Sequence, residues 1–291
     1  MNSTQKAYIQ LHVAVLFFGF TAILGNEQFI SLPAISTVWW RVLFTSMSLF
    51  FLIQFGKSLR NIPKKYIWQY IVIGVIVALH WICFFGSVKL ANNSSLTLVC
   101  MATGSFFTAL IEPLVLKTRF QKNELLLGLL VIPGMALVVG SVPYEMWMGI
   151  LVGLISAFLA SVFAVWNKMI INEARPMDIT FLEMSSGWLF ISLILPFVVQ
   201  MDDSIAFWPQ GWDWIYLLIL ALGCTTFAYV LSLKALKYLS AFTSTLTINL
   251  EPVYGIIIAY FLLDEKLSPG FYWGVLIILG AVFINPFLKK N

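Results

Sequence analysis

Apolar residues run through this chain in ten stretches of roughly twenty, separated by short polar loops. They fall at about 8–24, 33–55, 66–85, 94–116, 124–142, 148–167, 177–199, 212–231, 241–263 and 269–287. A helix rising 1.5 Å per residue needs about twenty residues to cross a hydrocarbon core about 30 Å thick. None of the stretches alternates strictly between apolar and polar, and each is about twice the length of a barrel strand. Lipid also demands that backbone groups be satisfied internally. The pattern therefore predicts an all-α integral membrane fold of ten transmembrane helices, with no soluble domain. The first run follows Lys6 as a signal peptide would, but no small-x-small cleavage site follows it, so it is expected to stay as the first helix.

The pattern occurs twice. Residues 87–138 and 232–283 share an order of lysine, polar step, long apolar run, charged loop and glycine-spaced apolar run. Ser87-Val88-Lys89 matches Ser232-Leu233-Lys234, and Gly128 and Gly134 match Gly274 and Gly280. The chain divides on this basis into 1–145 and 146–291, with five helices in each. Internal symmetry of this kind in an apolar chain is a mark of transporters that bind at the interface of two repeats.

Composition and charge sharpen the picture. Of the 291 residues, 60% are hydrophobic and only 10% charged, so lipid is the solvent for most of the chain. The net charge of +4 suggests a nucleic-acid partner until its distribution is considered. Lysine and arginine gather in alternate loops and the tail: Lys57, Arg60, Lys64 and Lys65; Lys117, Arg119 and Lys122; Lys168 and Arg175; Lys234 and Lys237; Lys289 and Lys290. The intervening loops carry Glu27, Glu145, Asp202, Asp203 and Asp213, with Lys89 and Lys266 as exceptions. By the positive-inside rule both termini are cytoplasmic, in a multi-pass inner (plasma) membrane protein. An odd number of helices per half makes the repeats inverted. Cys83, Cys100 and Cys224 lie within apolar runs without paired spacing, which points to packing rather than disulfides or metal.

The second repeat carries a family likeness. Lys234-Ala235-Leu236-Lys237-Tyr238-Leu239-Ser240-Ala241, Pro252 in the next helix, Asp264-Glu265-Lys266-Leu267 after it, and Gly274 with Gly280 resemble the EamA family of drug/metabolite transporters. The first repeat is similar but looser, from Gly19 and Gly25 through Arg41 to Gly128 and Gly134. Two positions depart from it: in the glycine register Arg119 stands opposite Glu265, and Phe106 opposite Pro252. The resemblance implies two inverted five-helix units and a central cavity lined mainly by helices one, three, four, six, eight and nine. It leaves the substrate open among amino acids, nucleotide-like metabolites and drugs.

Ionisable side chains at membrane depth are costly enough to be functional candidates. Glu251 precedes Pro252 near the midplane of the ninth helix, and Pro252 frees the carbonyl of Ile248. Glu112-Pro113 in the fourth helix looks like its repeat-mate, but the two dipeptides are out of register. Glu112 is expected either to pair with Lys117 or Arg119 at the interface or to face the cavity. His80 and Trp81 lie in the third helix, and Arg41 follows Trp39 and Trp40 in the second, where it either meets substrate or snorkels to headgroups. Trp166, Asn167, Tyr229 and Asn249 could stack on or hydrogen-bond a ligand. Glu183 and His12 are expected at the interface. Gly149, Gly153, Ala157 and Ser161 form a ladder of small side chains for close helix contact. Two carboxylates against one arginine predict a cavity that is acidic overall, suited to an amine or to protons.

The reading is a secondary transporter, an exporter of a small polar metabolite such as an amino acid or related amine, working by alternating access. A lipid-linked sugar flippase or a passive channel are the alternatives. An intramembrane enzyme is remote: Ser105 and His80 could mimic a serine–histidine pair, but no GxSxG elbow, HExxH motif or GxxxxGK[ST] loop is present. No cofactor or metal is implied. The partners are the lipid bilayer, a small-molecule substrate and protons, with no nucleic acid, and monomer and homodimer are equally open. A reporter fused after Asn291 is expected to read cytoplasmic and one placed between Asp202 and Asp213 external. The reverse readings would overturn the inverted topology.

Overall fold

The computed structural model describes residues 2–201 and 205–288; Asp202, Asp203, Lys289, Lys290 and Asn291 lie outside the described residues. Among the described residues all regular structure is helical. The elements are α1 (Ser3–Gly25), α2 (Ala34–Leu52), α3 (Lys64–Ala91), α4 (Ser94–Met101), α5 (Gly104–Leu116), α6 (Lys122–Gly140) and α7 (Trp147–Ile170). They continue with α8 (Pro176–Met201), α9 (Asp213–Ala221), α10 (Ala228–Leu236), α11 (Ala241–Ile248), α12 (Glu251–Leu262) and α13 (Pro269–Leu288). Nine spans among the described residues are long and apolar enough to cross a membrane. Three of these join two α-helices, α4 with α5, α9 with α10, and α11 with α12, and a fourth joins the 3-10 turn Tyr144–Met146 to α7. The last helix, α13, holds a shorter apolar stretch at Pro269–Gly280.

Helix ends differ from the apolar runs where polar residues find partners. Asn2 starts α1 well before residue 8, because its side chain accepts from the Gln5 amide while Gln5 reciprocates to the Asn2 amide. The third helix continues past 85 to Ala91, since Lys89 near its end donates to the Ile30 carbonyl at 2.6 Å. Asp213 opens α9 and accepts from the Ser31 amide and hydroxyl, tying that end to the loop after α1.

Packing follows a pseudo-two-fold axis. The first helix of each half lies against the other half: α7 against α3 and α5, and α1 against the corresponding α10 and α12. Across the halves, α4 packs on α12 and α5 on α11. At the contact of α6 with α13, a Cβ on Gly134 would meet the Gly274 carbonyl at 2.8 Å and Ile278 at 2.6 Å. A Cβ on Gly274 would in turn meet the Gly134 carbonyl at 2.6 Å and Val138 at 2.7 Å. Gly134 reaches forward to Ile278 while Gly274 reaches forward to Val138, so the two helices cross antiparallel. That is the relation required of equivalent helices in inverted halves. The small-residue ladder of α7 also makes close contacts: Gly149 faces Ala91, Gly153 faces Ser87 and Cys100, and Ser161 donates to the Gly104 carbonyl.

The fourth and ninth spans are both broken, each after a first segment of eight residues. In the ninth, Pro252 sits in the first turn of α12, where its missing N–H costs nothing. In the fourth, hydroxyls do the same work: Thr103 donates to the Cys100 carbonyl and Ser105 to the Ala102 carbonyl. Aligning the helix starts sets Gly104 opposite Glu251 and Ser105 opposite Pro252, one residue from the glycine register. Phe106 is thereby accounted for: its backbone packs on Gly128, where a Cβ would come within 2.9 Å of the Phe106 Cα.

Each broken span starts under a carboxylate from the other half. Glu112, in α5, accepts from the amides of Ala241 and Phe242 at 3.0 and 2.6 Å, at the start of α11. Glu265, beyond α12, accepts from the amides of Ser94 and Ser95 at 2.7 and 3.0 Å and from the Ser95 hydroxyl at 2.6 Å, at the start of α4. Glu112 therefore bonds to these helix-start amides and forms no ion pair with Lys117 or Arg119. The counterpart of Glu265 in role is Glu112, not Arg119. A carboxylate at a helix N-terminus meets free amides and the positive end of the helix dipole. Glu112→Gln and Glu265→Gln each replace one accepting oxygen by a donor facing amides, and should each cost about 1–3 kcal/mol. Thermal unfolding of the purified protein in detergent is the measurement, and an unchanged midpoint in both would refute the shared role.

Candidate functional site

The site begins with a defect in the eighth span. Between α9 and α10, residues Leu222–Phe227 form a π-helical turn, which leaves backbone carbonyls without their usual helical donors. Hydroxyls take their place: Thr225 donates to the Leu220 carbonyl at 2.8 Å, and Thr45 from α2 to the Ala221 carbonyl at 3.1 Å. On this platform Arg41 is seated. Its Nε donates to the Thr225 hydroxyl at 2.6 Å, and its Nη2 lies 3.5 Å from the Cys224 carbonyl. The guanidinium carbon stands 4.0 Å from the centre of the Trp81 ring, a cation–π stack. Arg41 is 1% exposed and so does not snorkel to the headgroups. Its Nη1 has no hydrogen-bond partner.

That free nitrogen belongs to a cavity of about 110 Å³. Its walls are Phe18 and Thr21 of α1, Arg41, His80, Trp81 and Phe84 of α3, Met101 of α4, Ala160 and Phe163 of α7, Tyr229 and Ser232 of α10, Ile248 of α11 and Glu251 of α12. These come from the spans that the family resemblance implied, with α2 added through Arg41. Glu251 is 6% exposed, opens α12 and makes neither a hydrogen bond nor an ion pair with any described residue. A cation and a carboxylate thus share one small chamber without bonding to each other. The Thr21 hydroxyl beside them lies near the Cys224 thiol but makes no well-formed hydrogen bond.

The remaining polar wall is held in place from behind. His80 Nδ1 lies 2.9 Å from both the carbonyl and the hydroxyl of Ser156, and that hydroxyl also donates to the His80 carbonyl at 3.0 Å. With Nδ1 engaged by α7, Nε2 is the nitrogen left for a ligand. Around these groups the lining is aromatic, with the Tyr229 ring 6.2 Å from Trp81 and 6.3 Å from Phe163. The chamber can hold a small molecule bearing both charges and an apolar part, and its volume is below that of drug-sized pockets. Only one carboxylate reaches it, and Arg41 offsets that charge, so the acidic cavity expected from the sequence is replaced by a balanced one.

Of the residues singled out in the sequence, Arg41, His80, Trp81, Tyr229 and Glu251 come together here. Asn167 lines a smaller space of about 50 Å³ that shares Phe163, Tyr229, Ser232 and Ile248 with the main chamber. Three others lie elsewhere. Glu112 caps α11; Asn249 donates to Ser105 at 3.0 Å; Trp166 donates to Gln69 at 3.2 Å. Ser105 and His80 are not brought together, since each is bonded to other groups.

Glu183 overturns its expected interfacial position. It is fully buried, because Gly74 lets the backbone of α8 close onto α3 at Glu183 and Ser186, and the Tyr229 hydroxyl donates to it at 2.7 Å. The run Ser185-Ser186-Gly187 beside it was the available signal of close packing. His12 is exposed. Thr21 and Thr225 had no sequence signal, since an isolated threonine in an apolar helix is usually satisfied by its own backbone.

A family model described as the EamA-like transporter family matches residues 5–140 and again 147–285. A solved structure titled only "Crystal structure of protein" shares the fold, with a TM-score of 0.72 over 98% of this chain and 99% of that one at 14% identity. Among curated proteins, none matches the sequence significantly.

The Arg41 seat can be tested without a ligand. Thr225→Val removes the partner of Nε while keeping the shape of the side chain, and should lower stability by about 1–3 kcal/mol by leaving a buried charged donor unmet. Thermal unfolding in detergent reads this out. An unchanged midpoint would mean that the π-helical platform does not hold the guanidinium.

Proposed function

Because the chain belongs to the EamA-like transporter family, we propose that this multi-pass membrane protein carries an amino acid or a closely related amine, with the carboxylate at Arg41 and the amino group at Glu251. The observation that carries the reading is the pair itself. Arg41, with Nη1 free, and Glu251, without any hydrogen bond, face one cavity and form no ion pair. A buried charge of either sign is costly alone, and a zwitterion supplies the counter-charge to both at once. A ligand bearing only an amine would leave Arg41 unmet. His80 Nε2 and the Thr21 hydroxyl add polar contacts, and Trp81, Phe84 and Phe163 receive the apolar part of the substrate.

Alternating access follows from the two-fold arrangement. In this reading the two halves rock against each other around the chamber, and the carboxylate caps mark its two ends. Glu112 closes the end that bears Lys117 and Lys168, and Glu265 closes the opposite end. Breaking one set of amide bonds while keeping the other opens the chamber to one side only. In this reading both termini are cytoplasmic, as the alternation of loop charge predicts, and net flux is outward, which makes the carrier an exporter.

Counterflow in proteoliposomes with a panel of radiolabelled L-amino acids tests the proposal. Trans-stimulated exchange is expected, and it separates a carrier from a channel. Glu251→Gln and Arg41→Lys should each raise the KM at least tenfold, since truncating one member of a buried charged contact costs about 2–5 kcal/mol and lysine cannot reproduce the fork of arginine. If no amino acid is exchanged, or if both variants keep the wild-type KM, the assignment fails. Movement of a lipid-linked sugar instead would identify a flippase.

A further inference from the structure

Next to the substrate chamber lies a second polar cluster that zwitterion binding leaves unused. Glu183 of α8, 0% exposed, has one oxygen bonded to the Tyr229 hydroxyl at 2.7 Å and the other, Oε1, bonded to nothing. The side chain of Asn167, also 0% exposed, lies within reach of both Glu183 and Tyr229 from α7, although neither its oxygen nor its nitrogen makes a well-formed hydrogen bond. No cation is paired with Glu183 among the described residues. The groups that face it can be named element by element. Tyr229 comes from α10 and Asn167 from α7. Tyr70 comes from α3, with its hydroxyl committed to the Ile170 carbonyl. On α2 the single charged residue, Arg41, is turned toward Cys224 and Thr225.

We propose that Glu183, Asn167 and Tyr229 form a proton-binding site, distinct from the substrate chamber and coupled to it through the Tyr229 side chain. A carboxylate buried with one hydrogen bond and no counter-ion is costly enough to take up a proton. The neutral acid resolves what the anion cannot. A proton on Oε1 gives the group a donor, and the unpaired Asn167 Oδ1 is the matching acceptor, while Tyr229 continues to donate to Oε2. Release breaks the Oε1–H bond and passes the proton to a water that enters between Asn167 and Tyr229 from the smaller cavity, which these two side chains and the Ser244 hydroxyl line and Glu183 does not. That space of about 50 Å³ is large enough for water, and Asn167, Ser232, Ser244 and Thr245 supply polar edges to an otherwise apolar lining. Tyr229 keeps its own proton throughout. Because its ring is also a wall of the substrate chamber, a substrate that shifts the ring alters the hydrogen bond to Glu183, and the state of Glu183 in turn fixes the ring.

The proton site stands without the amino-acid assignment; its coupling to transport rests on that reading, and the test keeps the two apart. Infrared spectra of the full-length protein in lipid nanodiscs, from mildly acidic to mildly alkaline pH, need no substrate. At neutral pH the carbonyl band of protonated carboxyls is expected to hold a component from Glu183 that Glu183→Gln removes, leaving any contribution of Glu251, and that Tyr229→Phe shifts but retains. If the band is the same in wild type and Glu183→Gln, Glu183 is ionised and the proposal is overturned. In proteoliposomes, with the radiolabelled amino acids that show counterflow, Glu183→Gln should reduce uptake driven by a pH gradient at least tenfold more than it reduces counterflow. Equal reduction of both, or an unaltered gradient response, overturns the coupling. Should Glu183→Gln fail to fold, Glu183→Asp retains an acid on a shorter arm and is expected to shift the infrared band and the pH profile of uptake. An unmoved profile in that variant overturns the proposal equally.

Discussion

A polar group inside a bilayer has no water to fall back on, so every one must find a partner in the protein or face a cavity. Most of this molecule can be read as the working out of that rule. Two spans are broken, one contains a π-helical turn, and each irregularity exposes amides or carbonyls that a regular helix would have satisfied internally. The amides at the starts of α4 and α11 are met by Glu265 and Glu112, and the carbonyls around Leu222–Phe227 by Thr45, Thr225 and Arg41. The few groups left unmet are concentrated in and beside the central cavity.

Irregular backbone and function are therefore linked by cause. A straight bundle of apolar helices could pack just as well, but it would carry no seat for a guanidinium at membrane depth. The π turn widens the eighth span where Gly223 and two threonines make that affordable, and α2 docks its own polar residues into the opening. Trp81 completes the seat from α3, so three spans contribute to holding one side chain. Close contacts through small residues complement this. At Gly74 the α8 backbone approaches near enough to bury Glu183, and at Gly134 and Gly274 the symmetry-related α6 and α13 cross backbone to backbone. Such contacts are short and stiff, and they surround a loosely packed, aromatic chamber.

The symmetry is exact in some places and absent in others, and the difference has a physical origin. The two broken spans have equal first segments and reciprocal carboxylate caps, because each helix start presents the same free amides to the opposite half. The cavity walls need no such equality. Gly104 stands where the other half has Glu251, and Arg41, seated on the eighth span, stands where the other half has Glu183, packed on the third. A substrate lacks the two-fold symmetry of its carrier, so the residues that bind it are where the halves diverge.

The apolar periodicity was enough to establish helices, their approximate number and order, the duplication and the membrane environment, since these follow from the match between helix length and bilayer thickness. Loop charge likewise implied inversion, and membrane depth alone marked Arg41, His80 and Glu251 for attention. Position along a helix could not separate Glu112 from Glu251, or tell that Glu183 is buried rather than interfacial. Those outcomes depend on which helix packs opposite and how closely. Glu112 meets the start of α11 because α5 and α11 cross there, and Glu183 is buried because a glycine on α3 admits its backbone. Linear sequence records the depth of a side chain in the membrane, whereas its partner is set by the rotation and approach of neighbouring helices, which only the assembled bundle determines.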